Sequence, residues 1–536
     1  MSAYVYIDVS RKQEYIYRQN KLRENLLNSC VIKAVTENLQ GDAEQEETAK
    51  QLPLSLNGFL DRRYKGRYVF EFSGGGNSIV RFDEGESLAA HFVRAYSTES
   101  LRHYPELELY MSIVDIADTD RDVMTDMEVR KRLIQKADSL KDKRRAAFRR
   151  WTYGIEQLDE TGKALREDLI SQTDRMNHES IKLAKAMIAG KLNKKLDNEA
   201  VRYTDELQDY YKRENGKSYI GVIAIDGNRM GEMVNRLRSF EELRTFSAII
   251  EQLYLEAVTD AIALFASMKE KDPFLYTPIV IAGDDVCIIV EGEYAIELAA
   301  QIVHNIEQLS KSSEYREQLE ELECTSGLSA CAGVTIVKVA YPFYEAVKSA
   351  ESLCHRAKEA MHSIVPSSEM NKSASFIDWM IVEGQVMADS NYDNNVQHLN
   401  TKERYHIKPL RIDQAFPYAD GVISYWAFEK MVRQIKALPH KNSFLEQIKK
   451  VQYGGWVLYK RLFEMNRMDV SKNIQQLVQS IFAEAAAVQV ENAALVENNG
   501  SYTYVLNDVL EAMDFMSGKG DDHAASAVSN SSSFAQ

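Results

Sequence analysis

A chain of 536 residues, 45% hydrophobic and 27% charged, has the length for three or four globular domains that each bury their own core. Its net charge of −15 argues against a free-standing protein that grips nucleic acid through a general basic field, while leaving room for local basic patches within a larger assembly. The opening MSAYVYIDVSRKQEY turns charged at Arg11, so no secretory leader is expected, and no apolar run reaches the length of a membrane helix.

A cytoplasmic location with no membrane partner is therefore expected. The five cysteines (Cys30, Cys287, Cys324, Cys331 and Cys354) are scattered without a CxxC pair, which suits a reducing compartment and offers no zinc framework.

In chain order, Tyr4 to Val9 reads as a strand and Arg11 to Asn38 as helix. Arg67 to Phe72 and Ser78 to Phe82 read as two strands joined by Ser73-Gly74-Gly75-Gly76-Asn77, where glycines permit the positive φ of a tight hairpin. Glu86 to His103 returns to helix and Leu107 to Ile116 to strand. From Asp118 to Gly216 the chain is highly charged, free of proline and helical in propensity, with a strongly basic stretch from Lys141 to Arg150. Tyr219 to Asp226 (YIGVIAID) is an apolar strand ending on a carboxylate, and Phe240 to Met268 is a long amphipathic helix. Pro278 to Ala282 and Val286 to Val290 form a second hairpin around Gly283-Asp284-Asp285. Helix, strand and helix follow at Tyr294–Leu309, Leu328–Val337 and Phe343–His362.

The order β-α-ββ-α-β thus occurs twice, with the opening strands ending on Asp8 and Asp226. The fold class expected is α+β: two ferredoxin-like sheet units, 1–117 and 217–385, joined by a helical connector, 118–216. A linker rich in Asn, Asp and Ser (386–400), a helical C-terminal domain (401–516) and a disordered tail (517–536) complete the expectation.

The residues pointing to chemistry are Asp226, Asp284 and Asp285. The first strand of such a sheet lies beside the hairpin, so the three carboxylates converge on one edge. Their repulsion is costly unless cations lie between them. Magnesium or manganese suits oxygen ligands, and two such ions could activate a ribose 3′-hydroxyl and stabilise charge on an attacked α-phosphate. Either acidic turn alone is ordinary turn chemistry; their joint placement within a repeated unit is the signal.

Those residues also carry a family resemblance. IDGNRMG, IAGDDVCIIVEG, SACAGVTIVK and AESLCHRAKEAMH resemble the second palm of the large subunit of type III CRISPR effector complexes, and more distantly the diguanylate cyclase palm. YVYIDVSRKQEYIYRQNKLRENLLNS and FSGGGNSIV resemble that subunit's first palm. LKDKRRAAF, SASFIDWMIVEGQ and KPLRIDQAF with LPHKNSFLEQIKK resemble its connector, post-palm and C-terminal segments, so the likeness spans nearly the whole chain.

The resemblance implies a nucleotidyltransferase that polymerises ATP into short cyclic oligoadenylate when its complex captures foreign RNA. It implies Asp226 and Asp284 as metal holders supported by Asp285, and Lys358 as a triphosphate contact. Gly74, Gly75, Gly76 and Asn77 would seat a second nucleotide across the palm–palm interface, with Gly227, Asn228 and Gly283 shaping the nucleotide site. The implied partners are the other effector subunits with guide RNA and target RNA.

Several departures stand out. Ala282 replaces the first glycine of Gly-Gly-Asp-Asp, and Asn228 stands where many relatives carry a second aspartate. The strand at Tyr4 leaves no preceding HD nuclease, so DNA cleavage is not expected, nor is the zinc site many relatives carry between the palms. Two alternatives remain open here: a degenerate palm pair acting as a structural subunit, and a free-standing palm cyclase.

Overall fold

The computed structural model describes residues 2–517 apart from 18–20, 41–51, 117–123, 143–186, 188–189, 194–195, 197–198, 212–217, 270–271, 325–326, 366–373, 383–401, 414–416, 420, 452–453, 466–468, 484, 486–487 and 498–499. The predicted linker, the tail from 518, most of the connector and the basic run from 143 to 150 lie outside the described residues.

The first unit holds strands β1 (Ser2–Val9), β2 (Val69–Gly74), β3 (Asn77–Phe82) and β4 (Leu109–Ile116). They form an antiparallel sheet in the order β2-β3-β1-β4, the ferredoxin-like arrangement. Helices α1 (Lys12–Ile16), α2 (Leu22–Thr36), α3 (Glu86–His103) and α4 (Asp126–Lys141) accompany it. Strand β1 is buried along its whole length because helices cover both faces of the sheet. Ala3, Val5 and Ile7 pack with Leu26 and Val35 of α2 and Phe92 of α3. Tyr4 and Tyr6 share the opposite core with Val129 and Leu133 of α4 and with Phe240 and Leu243 of the second unit. Each such aliphatic or aromatic burial contributes on the order of 1.5–3 kcal/mol. Helix α4 starts at a capping box, Thr125 accepting from the Glu128 amide while Glu128 accepts from the Thr125 amide.

The second unit repeats the plan. Its strands are β5 (Val201–Tyr203), β6 (Tyr219–Gly227), β7 (Phe274–Ala282), β8 (Asp285–Glu291), β9 (Ala330–Lys338) and β10 (Phe376–Val382). The inner order β9-β6-β8-β7 matches the first unit, and the sheet is widened by β5 beside β7 and by β10 beside β9, both parallel. The strand at 201–203 corrects a reading of its segment as wholly helical. Helices α5 (Phe240–Met268), α6 (Ala295–Lys311) and α7 (Phe343–Ile364) lie against the sheet.

The duplication reaches the backbone. Arg11 and Arg229, each three residues beyond the terminal aspartate of its opening strand, adopt left-handed φ values of 52° and 55° at the start of a short helix.

Contact between β9 and α7 depends on Gly333, where a Cβ would lie 2.0 Å from the Ala350 carbonyl oxygen and 2.3 Å from the Cys354 nitrogen. Backbone cannot yield as a side-chain tip can. Gly333→Ala is therefore expected to destabilise by at least about 1–3 kcal/mol in urea unfolding, by prising α7 from the sheet.

Beyond β10, short strands precede the C-terminal helices, among them β11 (Glu403–Arg404) and β12 (Leu410–Arg411), the latter pairing antiparallel with β10. Helices α8 (Tyr425–Ala437), α9 (Asn442–Val451), α10 (Trp456–Met465), α11 (Asp469–Ile481) and α12 (Val505–Ala512) follow. The segment expected to be helical also carries a small sheet joining β11 to strands at Tyr502–Thr503, Ala494–Glu497 and Val488–Glu491. Among the described residues, no helix is long and apolar enough to cross a membrane.

Candidate active site between the two sheet units

Strand β6 delivers Asp226 to the sheet edge, and the β7–β8 turn delivers Asp284 and Asp285 beside it. The register pairs Ile225 with Val286 and Ala282 with Asp285. Gly283 closes that turn at φ 63°, a conformation glycine adopts without steric cost. Gly227 is buried beneath the turn: a Cβ there would lie 2.9 Å from the Asp284 Cβ. Glycine thus lets strand and turn approach.

These carboxyls disturb one another. Burial and the Asp226 charge push Asp284 up to about 6. Burial, Asp226 and Asp284 push Asp285 up to about 7. Asp285 is exposed to a cavity yet lies deep between the two units, which reconciles its open surface with its strong desolvation.

Lys358 on α7 projects into the same place. Its ammonium lies 2.5 Å from Asp226 Oδ2 and donates to the Gly227 carbonyl at 2.9 Å. Burial alone would lower its pKa, but the adjacent Asp226 carboxylate holds it above its ordinary value.

The cavity, about 290 Å³, runs between the units. The second supplies Asp226, Ala282, Asp285, Glu351 and Lys358; the first supplies Lys12, Lys33, Glu37, Gly75 and Gly76. Gly75 and Gly76 turn the β2–β3 hairpin at φ 60° and 74°. The Gly76 amide donates to Glu37 at 2.7 Å, and Lys12 donates to the Gly75 carbonyl at 3.0 Å. Gly74 is pressed against α5, where a Cβ would meet Ser247 Oγ at 2.7 Å. Asn77 pairs opposite Asp8 and reaches the Gly75 carbonyl at 3.4 Å.

The first unit's own terminal acid is differently housed. Asp8 is buried with Lys12 Nζ 3.2 Å from one oxygen and Lys141 Nζ 2.8 Å from the other.

Of the residues singled out in the sequence, Asp226, Asp285, Lys358, Gly75 and Gly76 line the cavity, and Asp284, Gly227 and Gly283 support its acidic wall. Asn228 is not brought in. It is 1% exposed and its amide donates to Ser329 Oγ and the Ala374 carbonyl, both at 3.0 Å.

Sequence reasoning missed Glu351, which burial and the Asp285 charge push up to about 7. The available signal was its place on α7, seven residues and so about two turns before Lys358 on the same face. Cys30, Cys287 and Cys354 also line the cavity as buried free thiols.

The donor set suits a hard divalent cation, because Asp284 and Asp285, whose proton affinity is raised, gain most from added positive charge. The aspartates are not drawn into one closed shell, however. Among the described residues, the three metal-type side chains with ligand atoms within 4.8 Å of one another are His406, Asp508 and Glu511. That set already surrounds an ammonium, Lys408 Nζ, 2.8 Å from Glu511 and 3.5 Å from Asp508.

The fold defines a double-palm protein with an acidic edge facing the interface between its two units. Residues 219–363 match the family model of Cas10/Cmr2, second palm domain. A segment of 183 residues is 28% identical to CRISPR system Cmr subunit Cmr2 of Pyrococcus furiosus, covering 30% of this chain and 20% of that protein. Among solved structures, the Csm1–Csm4 cassette in complex with one ATP matches at TM-score 0.52 and 14% identity over 96% of this chain and 69% of the other. The same cassette in complex with pppApApA matches at TM-score 0.51 and 14% identity, with the same coverage. These matches bear out the resemblance where they fall: residues 219–363 are similar to the second palm of Cas10/Cmr2, and the chain shares its fold with the Csm1–Csm4 cassette over most of its length.

Proposed function

We propose that the chain is a nucleotidyltransferase that joins ATP into short, cyclic oligoadenylates within a type III effector complex holding guide RNA and target RNA. The observation that carries this reading is the convergence of Asp226, Asp284 and Asp285 beside a cavity whose opposite wall is the first unit's glycine hairpin. That placement sets the two walls of the site where two nucleotides would meet across the interface. The related cassettes solved with ATP and with pppApApA support the same substrate class.

In this reading Asp226, Asp284 and Asp285 hold two magnesium or manganese ions, which would supply charge stabilisation at the attacked phosphate and acidify the ribose hydroxyl. Lys358 neutralises Asp226 before substrate arrives and then offers its ammonium to the triphosphate. Gly75 and Gly76 bring backbone close to the second nucleotide, and Lys12 places positive charge beside it. Ala282 adds one methyl to the cavity wall without removing either acid.

The test is incubation of the chain, alone and in its complex with target RNA, with labelled ATP and Mg²⁺ or Mn²⁺, reading products by chromatography. Oligoadenylate formed only with target RNA is the expected result. Product without RNA would favour a free-standing cyclase. One contact favours a second reading, a structural subunit: Lys358 already satisfies Asp226 without any cation. Unreacted ATP under activating RNA would establish it.

A further inference from the structure

We propose that Tyr254 is a positioning residue for this acidic edge, its phenol hydroxyl donating to the Asp284 carboxylate when the cluster holds a divalent cation. The inference rests on the nucleotidyl-transfer reading above and adds a residue that no motif marks.

Tyr254 lies in the middle of α5 and is 0% exposed. Its neighbours on that buried face, Ile250, Leu253, Ala257 and Val258, are apolar, so phenylalanine would fill the same space. Yet the residue carries a hydroxyl, and that buried oxygen has no hydrogen-bond partner. Leaving a donor dry and unpaired is costly, so the group is poorly explained by packing.

Its position supplies the explanation. A Cβ built on Gly227 would lie 2.8 Å from the Tyr254 hydroxyl and 2.9 Å from the Asp284 Cβ, so tyrosine, glycine and aspartate meet at one point. The acids acting on the phenol are, in descending order, Asp284, Asp226 and Asp285. Tyr254 therefore meets the cluster from within the core and is not among the residues that line the cavity.

A carboxylate offers about four lone-pair positions, and a cation on the cavity side leaves the core side free. A donor there fixes the carboxylate's rotation, as outer partners do for metal ligands elsewhere. The side chain reaches no cavity wall. It therefore acts through Asp284 and not on substrate.

Tyr254→Phe tests this on the full chain. Mn²⁺ affinity, measured by titration calorimetry and by loss of free Mn²⁺ electron-spin signal, is expected to fall about 10–100-fold. Half-saturating Mg²⁺ for product formation should rise in parallel, with turnover at saturating Mg²⁺ changed least. Metal-free melting temperature should not fall, because the hydroxyl removed has no partner.

Unchanged Mn²⁺ affinity would overturn the assignment. So would a metal-free melting temperature lowered by several degrees, or failure to fold, because either would make the hydroxyl structural. If wild type binds Mn²⁺, Asp284→Ala/Asp285→Ala does not, and Tyr254→Phe matches wild type, only the tyrosine's role is lost. A wild-type chain that binds no Mn²⁺ overturns both readings.

Discussion

Replacing Asp284 and Asp285 together by alanine is expected to abolish product formation, by roughly 10³-fold or more, while leaving the metal-free chain at least as stable as wild type. The two effects share one cause. Both carboxyls are desolvated and held beside like charge, raising their folded pKa values to about 6 and about 7 from an ordinary 3.8. A carboxyl whose folded pKa is raised binds protons more tightly in the native state. Its burden is absent below the ordinary value and is fully felt above the raised one. The variant's stability advantage should therefore be negligible near pH 3.5, grow between pH 4 and 7, and level off by pH 8. Thermal unfolding in chelator across that range measures it, and turnover measures the loss. Loss of activity together with loss of stability would mean that the acids serve the fold.

Lys408→Met should have the largest effect on stability, on the order of 3–5 kcal/mol, because it strands a buried charge. The Lys408 side chain is 1% exposed and its ammonium donates to the Trp379 carbonyl at 3.0 Å and to Glu511 at 2.8 Å. It also lies 5.0 Å from the centre of the Trp379 ring. Asp508, fully buried, accepts from the Ile407 amide at 2.6 Å and sits 2.8 Å from His406 Nδ1. Burial alone would raise Asp508, but Lys408 and His406 hold it below the usual carboxylate range.

A depressed carboxyl contributes stability that is present above the ordinary carboxylate range and is lost as pH falls through its lowered value. Without Lys408, Asp508 titrates upward. The variant should then unfold in acid at a higher pH than wild type, as well as at lower urea at neutral pH. The Trp379 contact lies on β10, so the damage should reach the second sheet. Equal urea midpoints would show the lysine to be a bystander.

The fold was largely legible because its strands announce themselves locally. YIGVIAID and IAGDDVCIIVEG carry their apolar runs, their turn residues and their acids within a few positions of one another. Asp226 and Asp284 meet because a four-stranded order follows from β-α-ββ-α-β. Tyr254, Glu351 and Lys12 were not legible for the opposite reason: each reads as an ordinary helix residue, and its partner lies on another element. Asn228 misled in the same way, since nothing near it in sequence reveals that Ser329 and Ala374 take its amide. The strand at Val201–Tyr203 was hidden inside a charged segment because three residues carry too little pattern to outweigh helical neighbours.

Asp8 and Asp226 hold equivalent places, yet the former has a lysine on each oxygen. The earlier half thus meets its one acid with two ammonium groups, whereas in the later half Lys358, helped by the charge of Lys12, faces three acids. On the proposed reading, duplication has left a molecule with one working hand and one steadying hand. Under the proposed reaction, successive additions cannot alternate between twin centres; a growing oligomer must shift its end back to the same seat before each new bond.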